Sequence, residues 1–151
     1  MRILAVDIGT VRIGFAISDP QQIIAQALPT LESGSAKQIC TKIIEVIKKY
    51  ETAPKDEQID KVVLGLPIHL NGKDSEMSLF VKECSQILKM YIIQKIKRRI
   101  EIVFKDERMT SISAERVMLE GNASRKVRRQ KKDQIAAQII LMEYLNANKH
   151  N

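Results

Sequence analysis

A short apolar strand that ends on a carboxylate sets the terms for the whole chain. Ile3-Leu4-Ala5-Val6 reads as a buried strand, and Asp7 closes it. Gly9 allows a turn, and Ile13 to Ile17 supplies a second apolar run, so the segment predicts a β-hairpin. A buried strand gains nothing from an acid at its tip. Either Asp7 caps the turn, as Asp often does, or it is a functional group held on a rigid platform.

The rest of the chain alternates strands and helices. Ile23 to Leu31 is expected as a third strand, and Pro29 within it favours a sheet edge. Ala36, Ile39, Cys40, Ile43, Ile47 and Tyr50 recur at helical spacing after Gly34-Ser35, which predicts an amphipathic helix covering a sheet. Val62 to Leu64 is the next buried strand, followed by Gly65-Leu66-Pro67 and a loop that carries His69. Asp74 or Ser75 is placed to cap a helix with Met77, Phe80, Cys84, Ile87, Leu88 and Tyr91 on one face, running toward Lys95, Lys97, Arg98 and Arg99. Glu101 to Phe104 forms a further strand that leads into Lys105-Asp106-Glu107-Arg108. A helix is expected from Thr110 or Ser111 to Gly121-Asn122, then a basic loop, then a last helix from about Gln130 to Asn146. With no repeat and no low-complexity linker, residues 1–147 are expected to be one domain and 148–151 a frayed tail.

Charge narrows the class of partner. The 151 residues carry 25 Lys and Arg against 18 Asp and Glu, a net charge of +7, which favours a polyanion and first of all nucleic acid. Three Phe, three Tyr and no Trp leave little for base stacking, so contact with the phosphate backbone is the expected mode. No run reaches the roughly eighteen apolar residues of a membrane span, and the N-terminus enters a strand directly, leaving no room for a signal peptide. Cys40 and Cys84 have neither metal-site nor disulfide spacing. A cytoplasmic protein without membrane contact is expected.

The last helix holds the second informative acid. Asp133 heads a stripe made by Ala136, Ala137, Ile140, Leu141 and Tyr144, which must face the core. A carboxylate in that line is costly unless it caps the helix or is neutralised. Ala136 and Ala137 are small enough for close approach to the sheet, which would bring Asp133 toward Asp7 and the Asp106-Glu107 pair. Clustered carboxylates repel one another, and a hard divalent cation removes that penalty. The dense charge of Arg125, Lys126, Arg128, Arg129, Lys131 and Lys132 beside such a cluster would hold a polyanionic substrate.

Val6-Asp7-Ile8-Gly9-Thr10 with Arg12-Ile13-Gly14, then Gly65-Leu66-Pro67, Asp106-Glu107-Arg108-Met109-Thr110, and Lys131-Lys132-Asp133 with Ala136-Ala137 resemble the YqgF family, also called RuvX, in that order and spacing. The family is related to the RuvC junction resolvases, and the resemblance spans nearly the whole chain. It implies a ribonuclease H-like α/β fold, with a mixed five-stranded sheet and helices on both faces. It also implies a nuclease, either for the 5′ end of the small-subunit ribosomal RNA precursor (pre-16S rRNA) or for Holliday junctions.

By that resemblance Asp7, an acid of the Asp106-Glu107-Arg108 motif and Asp133 are the catalytic, metal-binding residues for Mg2+, with Mn2+ as a substitute. Asp7 would bridge two ions, with Glu107 and Asp133 each completing one. RuvC-type nucleases carry an acid on the fourth strand, where Gly65-Leu66-Pro67 occupies the corresponding strand end here, so the second acid must come from the strand that follows. Strand alternation puts Asp106 and Glu107 on opposite faces, and Glu107 is favoured. Arg12, Arg108 and the stretch from Arg125 to Lys132 would contact phosphates of structured RNA or branched DNA, by a monomer or a homodimer. Two other readings stay open. The Asp-x-Gly-Thr hairpin also opens actin-like ATP-binding proteins, and the fold can serve as a non-catalytic nucleic-acid or ribosome-associated module.

Overall fold

The computed structural model describes residues 1–68, 72, 74–107 and 125–149, and for residues 125–133 the backbone alone. Five strands form one mixed sheet: β1 (Arg2–Ile8), β2 (Arg12–Ser18), β3 (Ala25–Glu32), β4 (Ile59–Leu66) and β5 (Glu101–Asp106). Their order is β3-β2-β1-β4-β5; β1 pairs antiparallel with β2 and parallel with β4, β2 antiparallel with β3, and β4 parallel with β5. The helices are α1 (Ala36–Lys48), α2 (Glu76–Tyr91) and α3 (Arg125–Asn148). This is the ribonuclease H-like α/β arrangement expected from the sequence.

β1 is central because it is apolar on both faces, and Leu4, Ala5 and Val6 are wholly buried. Alternation then sorts its side chains. Leu4, Val6 and Ile8 join Phe15, Ile39, Ile43, Leu64 and Leu88 under α1 and α2. Ile3 and Ala5 join Ala16, Val63, Ala137, Ile140 and Leu141 under α3. Alanines on both sides of that second layer (Ala5 and Ala16 against Ala137) let the helix lie close to the sheet, as its small residues predicted.

Local chemistry sets the element boundaries. Ser35 caps α1 by a reciprocal box with Gln38, at 3.2 Å and 2.9 Å. Ser75 caps α2 and also donates to Pro67 O at 2.8 Å, which ties the helix start to the end of β4. Cys40 and Cys84 are buried free thiols between α1 and α2. β3 begins at Ala25 rather than Ile23, because Asp19 Oδ1 accepts from Ile23 N at 2.7 Å and Ile24 N at 2.8 Å and holds both in the turn. β3 is an edge strand with Pro29 exposed, and its register with β2 slips between Ile13 and Phe15. After α2 the chain widens into a π-helical turn, Ile92–Ile96, that Lys97 ends with a left-handed φ of 61°.

The last helix departs most from expectation. α3 starts at Arg125, so the stretch Arg125–Lys132 has helical backbone and is not a loop. It also runs through Asn148, into the segment expected to fray. Asp133 therefore lies eight residues inside the helix, too deep to act as its cap. The helix expected between Thr110 and Gly121-Asn122, together with His69 and Arg108, lies outside the described residues. Among the described residues no helix is long and apolar enough to cross a membrane.

Candidate active site

The C-terminal ends of β1, β4 and β5 bring two acids together on the α3 side of the sheet. Val6 pairs with Leu64 across β1 and β4, so Asp7 and Gly65 follow one another's level as adjacent positions. Gly65 pairs with Lys105 and Leu66 with Asp106, and Glu107 N donates to Leu66 O at 3.3 Å just past the end of β5. Val103 packs under α3 and Lys105 pairs with Glu143 of α3 at 3.7 Å, so alternation carries Glu107 to the same face. Asp106 falls on the other alternation, with Ile102 under α1 and α2.

Glu107 and Asp7 share a hydrogen bond between their side chains. The Glu107 carboxyl is pushed up to about 9, first by burial, then by the negative charge of Asp7, by the hydrogen bond itself and by Asp106. At neutral pH Glu107 is therefore protonated and donates to Asp7. The pair holds a proton where two carboxylates would otherwise repel.

Gly65 makes the pair possible. A Cβ at this position would lie 2.7 Å from Oε2 of Glu107 and 2.7 Å from Cδ1 of Ile140 in α3. Any side chain on β4 here would displace Glu107 or lift the helix. An acid on β4 and an acid after β5 are thus alternative occupants of one space, and this chain uses the second. In the sequence, Gly65-Leu66-Pro67 stands out only as a strand end without an acid. Its signal was a lone glycine within Val62-Val63-Leu64-Gly65-Leu66, where a strand interior marks a close approach.

The hairpin that carries Asp7 and Arg12 is clamped from the far strand. Gly9 N donates to Arg12 O at 3.0 Å, and a Cβ at Gly9 would lie 2.6 Å from that oxygen. Ser33, just past β3, donates from Oγ to Gly9 O at 2.7 Å and from its backbone N to Val11 O at 2.9 Å. Val11, Arg12, Thr30, Glu32 and Ser33 line a hollow of about 390 Å³ beside this clamp. No sequence motif marked Ser33.

Among the described residues, no three His, Cys, Asp or Glu side chains gather closely enough to hold an ion. The side chains of Asp133, Arg125, Lys126, Arg128, Arg129, Lys131 and Lys132 lie outside the described residues, so their approach to Asp7 is not part of this geometry. The donor set at hand still fits a hard divalent cation. It consists of the carboxyl oxygens of Asp7 and Glu107, the donor type that such cations take.

The model of the RuvX family, described as Holliday junction resolvase, matches residues 1–147. The chain belongs to the RuvX family. RuvX relatives described as "Putative pre-16S rRNA nuclease" include one from Dictyoglomus thermophilum, 36% identical over 148 residues that cover 98% of this chain and 97% of the relative. Another, from Caldanaerobacter subterraneus subsp. tengcongensis, is 37% identical over 152 residues and covers both chains completely. Among solved structures, Thermus thermophilus RuvC in complex with a Holliday junction substrate aligns over 97% of this chain and 94% of its own, at a TM-score of 0.54 and 14% identity. A second Thermus thermophilus RuvC structure aligns at 0.51 and 12%. At such identity the RuvC likeness speaks for the fold.

Proposed function

We propose that this chain is a metal-dependent nuclease that hydrolyses phosphodiester bonds, with the 5′ end of pre-16S rRNA as its substrate. The observation that carries the reading is the side-chain contact between Asp7 and Glu107 at the neighbouring ends of β1 and β5, in a member of a nuclease family. A purely structural acid pair has no reason to sit at the tip of the central strand.

In this reading Asp7, Glu107 and Asp133 hold magnesium, with manganese able to replace it. A bound ion would supply positive charge against the scissile phosphate and lower the pKa of a water. The chain's own residues do the rest. Glu107 keeps its proton until the site is filled, which spares the fold two adjacent charges. Gly65 and Ile140 fix where the Glu107 carboxyl sits, and Ser33 fixes the hairpin that presents Asp7. Arg12, Arg108 and the α3 residues Arg125, Lys126, Arg128, Arg129, Lys131 and Lys132 hold phosphates, with affinity but little sequence preference. The enzyme works in the cytoplasm, where ribosomal RNA is processed, as a monomer or homodimer folded as one domain over residues 1–147.

The deciding experiment incubates purified protein with a pre-16S rRNA fragment and with a four-way DNA junction, side by side, with magnesium or manganese. Cleavage of the rRNA fragment, abolished by Asp7→Asn while binding persists, supports the reading. Cleavage of the junction alone makes the chain a resolvase, the activity that the family model's description names. Binding without cleavage by the wild type makes it a non-catalytic module.

A further inference from the structure

A second concentration of positive charge stands at the other end of the sheet. Where α2 gives way to the π-helical turn and β5 begins, Lys89, Lys97 and Arg99 surround a groove of about 650 Å³. Its floor is the buried Ile92 and Ile100, and Ile93 stands 73% exposed on its wall. Arg98 builds the wall instead of facing a ligand: its Nε donates to both carboxylate oxygens of Glu51 at 3.1 Å, and it also donates to Ile59 O. Lys89, Lys97 and Arg99 are exposed, and among the described residues no carboxylate pairs with them. Lys97 keeps a left-handed backbone that glycine would adopt without strain, so a long cation is held where glycine would be cheaper.

This groove is far from the carboxylate pair but in line with it. Ile100 precedes β5 and Glu107 follows it, seven positions apart, which at roughly 3.3 Å per residue is about 23 Å. β5 is the outermost strand of the sheet, so the path along it is not covered by another strand among the described residues. A duplex lying along that edge would present on the order of a dozen phosphates between the two ends.

We infer that the groove lined by Lys89, Lys97 and Arg99 is a second grip for the backbone of structured RNA, used only by substrates long enough to reach it from the acids. The inference rests on the nuclease reading above and adds a length requirement to it. Unpaired cations around a shallow apolar floor suit a phosphate backbone. An acidic protein segment, the other polyanion that such charge could meet, is the occupant left if the test fails.

The test measures binding by fluorescence anisotropy in EDTA, using two probes: a 24-base-pair RNA duplex and an RNA hairpin of five base pairs. The triple variant Lys89→Ala, Lys97→Ala, Arg99→Ala should bind the long duplex at least about tenfold more weakly, with the salt slope lower by about 2 to 3. It should bind the short hairpin as the wild type does. Ile93→Lys, which adds a cation to the groove, should tighten binding of the long duplex only. Unchanged affinity of the triple variant for the long duplex overturns the inference and leaves the surface to a protein partner. Equal weakening on both probes also overturns it, since general loss of charge would explain that. Cleavage by the wild type is scored separately. A length-dependent effect without cleavage keeps the groove and sinks the nuclease; cleavage without a length-dependent effect does the reverse.

Discussion

Oε2 of Glu107 occupies the space that a side chain on Gly65 would need, with only 2.7 Å between it and the position of a Cβ there. The acid after β5 and the glycine in β4 are one structural unit, and a larger residue at 65 must disturb the acid. Gly65→Ala should destabilise the fold by about 1–3 kcal/mol, the usual cost of overpacking, because Ile140 is equally close. Cleavage should fall further than stability does, since the added methyl meets the Glu107 carboxyl itself. Urea denaturation and a cleavage assay on the same preparation check this, and wild-type rates in the variant would refute it.

The proton held by Glu107 makes stability depend on pH in a definite direction. Its folded value of about 9 lies above the ordinary 4.5, so the folded protein binds the extra proton throughout the interval between them. The stabilisation is complete below 4.5, declines as pH rises and is gone above 9. Metal-free protein should therefore lose stability from pH 5 to pH 9. Glu107→Gln, which copies the protonated form, should flatten that slope and abolish cleavage. Denaturation midpoints at pH 5, 7 and 9 in EDTA measure both.

Cation binding should expel that proton. At pH 7 Glu107 is almost fully protonated, so magnesium loading should release close to one proton per molecule. Calorimetric titrations in two buffers of different ionisation enthalpy count it directly. Asp7→Asn should remove the release along with the binding. Binding with no proton release would place the ion elsewhere.

Ser33 should matter although it carries no chemistry. Its hydroxyl holds Gly9 O, and with it the turn that places Asp7 and Arg12. Ser33→Ala should cost about 1 kcal/mol of stability, the usual net worth of one hydrogen bond. Rates should drop several-fold with no change in the pH profile, and Ser33→Thr should restore most of the loss.

What the sequence made legible was whatever periodicity and turn chemistry encode. The β1–β2 hairpin, α1 and α2, the buried α3 stripe from Ala136 to Leu141 and the edge position of the strand with Pro29 were all readable that way. The start of α3 was not. Arg125-Lys-Val-Arg-Arg-Gln-Lys-Lys132 has good helix formers but no apolar rhythm, so charge was read as loop. At the site, alternation along β5 separated Asp106 from Glu107 before any coordinates. The reason Gly65 is glycine was invisible, because its neighbours Glu107 and Ile140 come from distant parts of the chain. Ser33 is hidden for the same reason, since the Gly9 and Val11 carbonyls it holds lie more than twenty residues away.

Pro29 and the register slip opposite it have a final consequence for how this molecule behaves in company. β3 offers the outer rim of the sheet to solvent, and at its middle one amide hydrogen is missing and the ladder is kinked. Long polyanions gather many copies of a basic protein onto one strand, where neighbouring rims could zip into fibrils. A proline at that spot leaves a neighbouring rim without an amide donor there and so discourages such pairing.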